Sequence, residues 1–132
     1  MTALLDTDVL IDVLRGVKEA QAWLQSHANQ ALIVPGIVAM ELLVGCKNRI
    51  EIQGCRAFLS QFPVAWTEAH EFERACEYLA AYRLQSGIGI PDCLIAAMAT
   101  TRQATLYTFN VRHFRVIADL DIQQPYARPG NE

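Results

Sequence analysis

Short apolar runs alternate along the chain with longer stretches whose apolar residues recur every three or four positions. Residues 3–5, 31–34, 64–66 and 105–109 have the length and the β-branched or aromatic content of strands. Between them, Val9, Leu10, Val13 and Leu14 space a short helix closed by Gly16, and Ala20, Trp23 and Leu24 space a second. Pro35 suits the first turn of a helix running toward Gly45, and Ile52, Cys55, Phe58, Leu59 and Phe62 space another. Thr67 offers an N-cap to a long helix with Phe72, Ala75, Cys76, Leu79 and Tyr82 as its stripe and Gly87 as its end. Pro91 and Asp92 open one more, through Met98 toward Arg102. Strands too apolar to be half exposed, alternating with helices, predict a parallel sheet covered on both faces. The expected fold class is α/β: one domain over residues 1–132, a three-layer α/β/α sandwich with a loosely held tail at 123–132.

A length of 132 residues suits one domain, and 52% hydrophobic against 19% charged residues excludes a disordered chain. The longest apolar stretch, 31–40, is broken by Pro35 and Gly36 and is half the roughly 20 residues a membrane helix needs, so no membrane association is expected. The N-terminus meets Asp6 before an apolar signal segment can develop, so the expected location is the cytoplasm. Cys46, Cys55, Cys76 and Cys93 form no close pair in sequence and read as buried free thiols. With a net charge of −3, the chain as a whole does not attract nucleic acid; a metal or a local group such as Arg102, Arg112 and Arg115 has to do so.

The acids are more telling. In an open parallel sheet, ligands bind beyond the carboxyl ends of the strands, and the chain's isolated acids fall there. Asp6 and Asp8 follow the first strand. Glu41 is the sole charged residue between Ala31 and Cys46, and Asp92 the sole one between Ser86 and Thr101. An ionised carboxylate in apolar surroundings is costly unless paired. Three such acids brought together repel one another, and Mg²⁺ or Mn²⁺, which prefer carboxylate oxygen, would relieve them and organise phosphodiester hydrolysis through an activated water. Each acid also has a plainer reading. Asp8 is the expected cap of the first helix, Glu41 can lie on a solvated helix face, and Asp92 can serve as a first-turn acid. Asp12, Glu68, Glu71, Glu73 and Glu77 read as solvated faces. The three histidines share no zinc-ligand spacing, and no serine sits in a nucleophile elbow.

Four segments together resemble a PIN-domain ribonuclease of the VapC-type toxins found in toxin–antitoxin pairs: Leu-Leu-Asp-Thr-Asp-Val-Leu-Ile-Asp at 4–12, Ala-Met-Glu-Leu-Leu-Val-Gly at 39–45, Ile-Pro-Asp-Cys-Leu-Ile-Ala-Ala at 90–97 and Thr-Phe-Asn-Val-Arg-His-Phe at 108–114. They span the chain in order. The resemblance implies an endoribonuclease dependent on Mg²⁺ or Mn²⁺, with metal ligands at Asp6, Glu41 and Asp92 and a fourth catalytic position at Asn110. It also implies an RNA substrate, a cognate antitoxin, a toxin homodimer and a hetero-oligomer with the antitoxin. For the antitoxin, the helix pair carrying Leu10, Leu14, Val17, Ala20, Trp23 and Leu24 offers an apolar groove.

Two alternatives remain at this level. Asp6-Thr7-Asp8-Val9-Leu10 also looks like the nucleophile motif of haloacid-dehalogenase-type phosphatases, with Asp6 as the covalent nucleophile. That class needs a downstream lysine, and the chain has Lys18 and Lys47 alone. A PIN-like interaction module without activity is the other, although it gives no reason for three acids at one edge.

Overall fold

The structure, a computed structural model, describes residues 2–128. Five parallel strands form the sheet: β1 (Thr2–Leu5), β2 (Ala31–Pro35), β3 (Val64–Ala65), β4 (Thr105–Tyr107) and β5 (Ile122–Gln123), in the order β3-β2-β1-β4-β5. The helices are α1 (Thr7–Leu14), α2 (Lys18–Ser26), α3 (Gly36–Val44), α4 (Arg49–Leu59), α5 (Ala69–Ser86), α6 (Ile90–Thr101) and α7 (Val111–Phe114). The α/β class with a central parallel sheet is therefore the observed one. β5 and α7 carry too few residues for periodicity to register.

Ala3, Leu4 and Leu5 of β1 and Leu106 of β4 have no exposed surface, as a sheet covered on both faces requires. α6 is buried from Cys93 to Ala99, and its near-continuous apolar run explains why no clean stripe marks it. α5 ends at Gly87, whose φ of 76° is a left-handed conformation that glycine reaches without strain.

Several sequence expectations are corrected by long-range packing. The cap of α5 is Glu68, joined reciprocally to Glu71, whereas the Thr67 hydroxyl turns to the Met98 sulfur. The buried line of α5 runs through Glu71 and Ala75, leaving Phe72 and Cys76 exposed. Of the four free cysteines only Cys55 and Cys93 are buried. Asp12, read as solvated, is buried and accepts hydrogen bonds from Tyr126 Oη (2.6 Å) and Arg128 Nε (3.2 Å). Arg128 also covers the Phe109 ring at 3.7 Å, so the segment expected to hang loosely is tied to α1 as far as residue 128; its remainder, 129–132, lies outside the described residues.

Candidate active site

The chain leaves β1 toward β2 and β3 on one side, then builds β4 and β5 on the other. The connections after β1 and β4 therefore diverge, and a crevice opens at their carboxyl ends. The Asp6 N–H donates to Tyr107 O at 3.0 Å, so Asp6 and Thr108 emerge side by side from neighbouring strands. Asp6 is also the N-cap of α1: its Oδ1 accepts the Thr7 N–H at 2.8 Å. Asp8, the expected cap, sits in the first helical turn, where its Oδ2 accepts the Phe109 N–H at 3.0 Å. The caps exchange roles because β1 ends one residue before Asp6, which leaves Asp6 extended and Asp8 already helical.

Glu41 arrives from α3 and Asp92 from the first turn of α6. The Thr7 hydroxyl donates to Glu41 Oε1 at 2.8 Å, so one threonine bridges Asp6 and Glu41. The Thr108 hydroxyl donates to Asp6 Oδ2 at 2.8 Å and accepts the Asn110 N–H at 3.0 Å. Asp92 Oδ2 lies 3.1 Å from His113 Nδ1, and the Asn110 amide nitrogen lies 3.0 Å from the same Nδ1. A protonated Nδ1 donates to Asp92; a bare one accepts from Asn110. The Asn110 side chain is exposed, and its backbone N–H meets Asp6 through the Thr108 hydroxyl.

The electrostatics show acids in mutual conflict. Burial raises the Asp6 pKa, and the charge of Glu41 adds to it against the hydrogen bonds from Thr108 and Thr7. Burial raises Asp92 too, with the charges of Asp6 and Glu41 pushing the same way and His113 opposing them. Asp8 is pushed up to about 6 by burial and by Asp6. Among the described residues neither Asp6 nor Glu41 has an ion pair with Lys or Arg, and Asp8 Oδ1 is buried without a hydrogen-bond partner. This donor set is all oxygen, short of positive charge and carries an orphaned carboxylate atom, which fits a hard divalent cation.

A tighter group of two acids and a histidine lies elsewhere. Ligand atoms of Glu68, His70 and Glu71 fall within 4.8 Å of one another, but Glu71 is already served. Arg102 grips it with Nε at 2.7 Å and Nη2 at 2.9 Å, and the Glu68 N–H adds a third donor at 2.9 Å. Glu71 was expected on a solvated face; its side chain is fully buried under this grip. Arg102 thus sits at the C-terminal end of α6, away from Asp92 at the other end, and separates from the group expected with Arg112 and Arg115.

The structure brings together the sequence-predicted Asp6, Glu41 and Asp92, with Thr7, Thr108 and His113, which sequence reasoning did not single out, between them. The two threonines carried a signal, since each adjoins the carboxyl end of a β-type run. His113 lies three residues after Asn110, within reach across one helical turn. The expected apolar groove also shifts: Leu10, Ala20 and Trp23 are buried, with Trp23 stacked on His27 at 4.5 Å. The groove that exists, about 680 Å³, is walled by Ile11, Leu14, Leu42, Cys46 and Cys55, with Glu41 and Arg15 also at its edge.

The PIN domain family model matches residues 3–120. Ribonuclease VapC10 of Mycobacterium tuberculosis is 34% identical over 129 residues, covering 97% of this chain and 96% of that protein. Among solved structures, VapBC2 from Rickettsia felis, bound to a DNA fragment from its promoter, matches with a TM-score of 0.81 at 27% identity, over 94% of this chain and 98% of that one. A toxin–antitoxin complex from Klebsiella pneumoniae matches with a TM-score of 0.71 at 29% identity, over 96% and 99%. The chain belongs to the PIN domain family, alongside the relatives named Ribonuclease VapC. The phosphatase alternative falls with this membership.

Proposed function

We propose that the chain is a divalent-metal-dependent endoribonuclease, the toxin of a toxin–antitoxin pair, in which Asp6, Glu41 and Asp92 hold Mg²⁺ or Mn²⁺. The observation that carries this reading is the convergence of three acids, none paired with Lys or Arg among the described residues, at the topological switch point of a VapC-like chain. When bound, the cation neutralises charge on the phosphodiester and acidifies a water for attack. Thr7 holds Asp6 and Glu41 in fixed relation, Thr108 orients Asp6, and His113 orients Asp92. Asn110 steadies His113 and offers its amide at the mouth of the site.

Two partners belong to the same reading. The apolar groove beside Glu41 takes the antitoxin, as the likeness to toxin–antitoxin complexes supports. A second copy of the chain covers Met40, Val44 and Trp66, which are 52%, 84% and 63% exposed and too apolar to face water as a patch. Among the described residues no helix is long and apolar enough to cross a membrane, and the four free cysteines suit a reducing cytoplasm.

The test is cleavage of a defined single-stranded RNA with Mg²⁺, with Mn²⁺ and with chelator, alongside calorimetric titration of Mn²⁺. Cleavage restricted to the metal-containing samples, with Asp6→Asn and Asp92→Asn folded yet losing both Mn²⁺ binding and cleavage, is the expected result. Wild-type rates in either variant, or in chelator, overturn the metal site. Metal binding without cleavage turns the chain into an interaction module.

A further inference from the structure

The acids sit between two openings of different size and lining. On the Glu41 side lies the apolar groove; on the Asp92 side lies a smaller cavity of about 270 Å³ lined by Ser86, Asn110, Arg112, His113 and Val116. We propose that this second cavity is the subsite for the nucleotide next to the scissile phosphate of single-stranded RNA, with Arg112 on its phosphate and Asn110 on its base. The proposal rests on the ribonuclease reading and adds to it where the RNA lies.

Charge supplies the first argument. An RNA approaching three acids on a chain of net charge −3 needs a local cation that is both free and at the cavity. Arg128 is held by Asp12, and Arg83 donates to the carbonyls of Gly87 (2.7 Å) and Ile88 (3.1 Å); of the exposed arginines, Arg15 lies at the other groove and Arg115 is not in the cavity wall. Arg112 is exposed at the cavity wall and has neither ion pair nor hydrogen bond among the described residues.

Connection to the acids is the second argument. Asn110 is joined to Asp6 through Thr108, and His113, also in the wall, is joined to Asp92 when its Nδ1 is protonated, so two short hydrogen-bonded routes fix the cavity wall relative to the proposed metal ligands. The cavity cannot drift from the acids without breaking one of them.

Wall chemistry is the third. Ser86 is locked by donating to Tyr82 O (2.8 Å) and accepting from the Ile88 N–H (3.3 Å), which makes that wall rigid. Half-buried Val116 gives an apolar surface for a flat ring, and the exposed Asn110 amide can meet a base edge. Unpaired bases are splayed from a single strand, stacked on flat side chains such as His and hydrogen-bonded at their edges, and His113 supplies that plane in this wall. The groove beside Glu41 has largely apolar walls and suits a polypeptide.

The test compares wild type, Arg112→Ala, Arg112→Glu and the control Arg56→Ala, which lies on α4. KM and kcat are measured for a short single-stranded RNA, and the salt dependence of binding in the absence of metal. Nucleoside monophosphate is also titrated while the Asn110 side-chain amide is followed by NMR. Arg112→Ala should raise KM about tenfold, leave kcat within about threefold and reduce the salt slope by about one. Arg112→Glu should go further, Arg56→Ala should change nothing, and the Asn110 amide should shift with nucleotide in wild type. If wild type cleaves RNA but Arg112→Ala keeps its KM and salt slope, or the Asn110 amide stays still, the subsite is overturned and the ribonuclease reading stands. If wild type neither binds nor cleaves RNA, both are overturned.

Discussion

Glu71 and Asp6 are both buried acids, 0% and 8% exposed, and the chain treats them in opposite ways. Burial works to raise the Glu71 pKa, but the two bonds from Arg102 and the Glu68 N–H outweigh it and hold the carboxyl below its ordinary range. For Asp6 burial prevails: one hydroxyl and one N–H oppose it, the charge of Glu41 adds to it, and the pKa rises. The closer cluster, around Glu71, is thus the satisfied one, and the acids at the strand ends are the unsatisfied ones. Crowding of carboxylates is a poor guide to a metal site; uncompensated charge is the better one.

Breaking the satisfied cluster should have the largest effect. Glu71→Ala leaves the Arg102 guanidinium, about a quarter exposed, without its carboxylate. A loss of about 3 kcal/mol of stability is expected, from chemical denaturation, with activity per folded molecule kept. Loss of cleavage without loss of stability would mean that Glu71 belongs to the reacting site.

The unsatisfied cluster should respond in reverse. Asp6→Asn removes a repelling charge, so the metal-free protein should be as stable as wild type or more so, while cleavage falls by about 100-fold or more. Clear destabilisation of Asp6→Asn without metal would place Asp6 among the structural acids.

Thr108→Val removes the hydroxyl shared by Asp6 and Asn110 while nearly preserving shape. Mn²⁺ affinity should fall about 10-fold or more. Unchanged affinity would make Thr108 a sheet residue only.

The smallest effect is in pH. Asp8 has a folded pKa of about 6 against 3.8 for the free group, so its ionisation opposes folding. Stability of the metal-free chain should therefore rise as pH falls from 7 through 6 toward 4. Glu71, with its pKa lowered from 4.5, contributes stability above that value and loses it as pH falls through its folded pKa. The expected Tm profile rises from pH 7 to a maximum near pH 4, about 5 °C above its value at pH 7. Asp8→Asn should reduce the rise on the neutral side, to which Asp6 and Asp92 also contribute, and leave the acid side in place.

The positions of α1 to α6 were legible because periodicity is local, and Asp6, Glu41 and Asp92 stood out because each interrupts an apolar segment without a neighbouring base. β5 and α7 were not legible, being two and four residues long. Asp8 was read as a cap because Asp is a good capping type; which of two aspartates takes the cap depends on where β1 stops, and pairing with β2 and β4 sets that.

The sequence by itself determined the alternation of strands and helices, the absence of a long apolar helix and the acids that no nearby cation could serve. Only the tertiary structure decided which acids found partners. Arg102 reaches Glu71 across 31 residues and Thr108 reaches Asp6 across 102, distances over which no pattern in the chain reports. The physical reason is that a charge's environment is set by whatever the fold brings within a few ångströms, whereas a helix or strand is set by residues a few positions away.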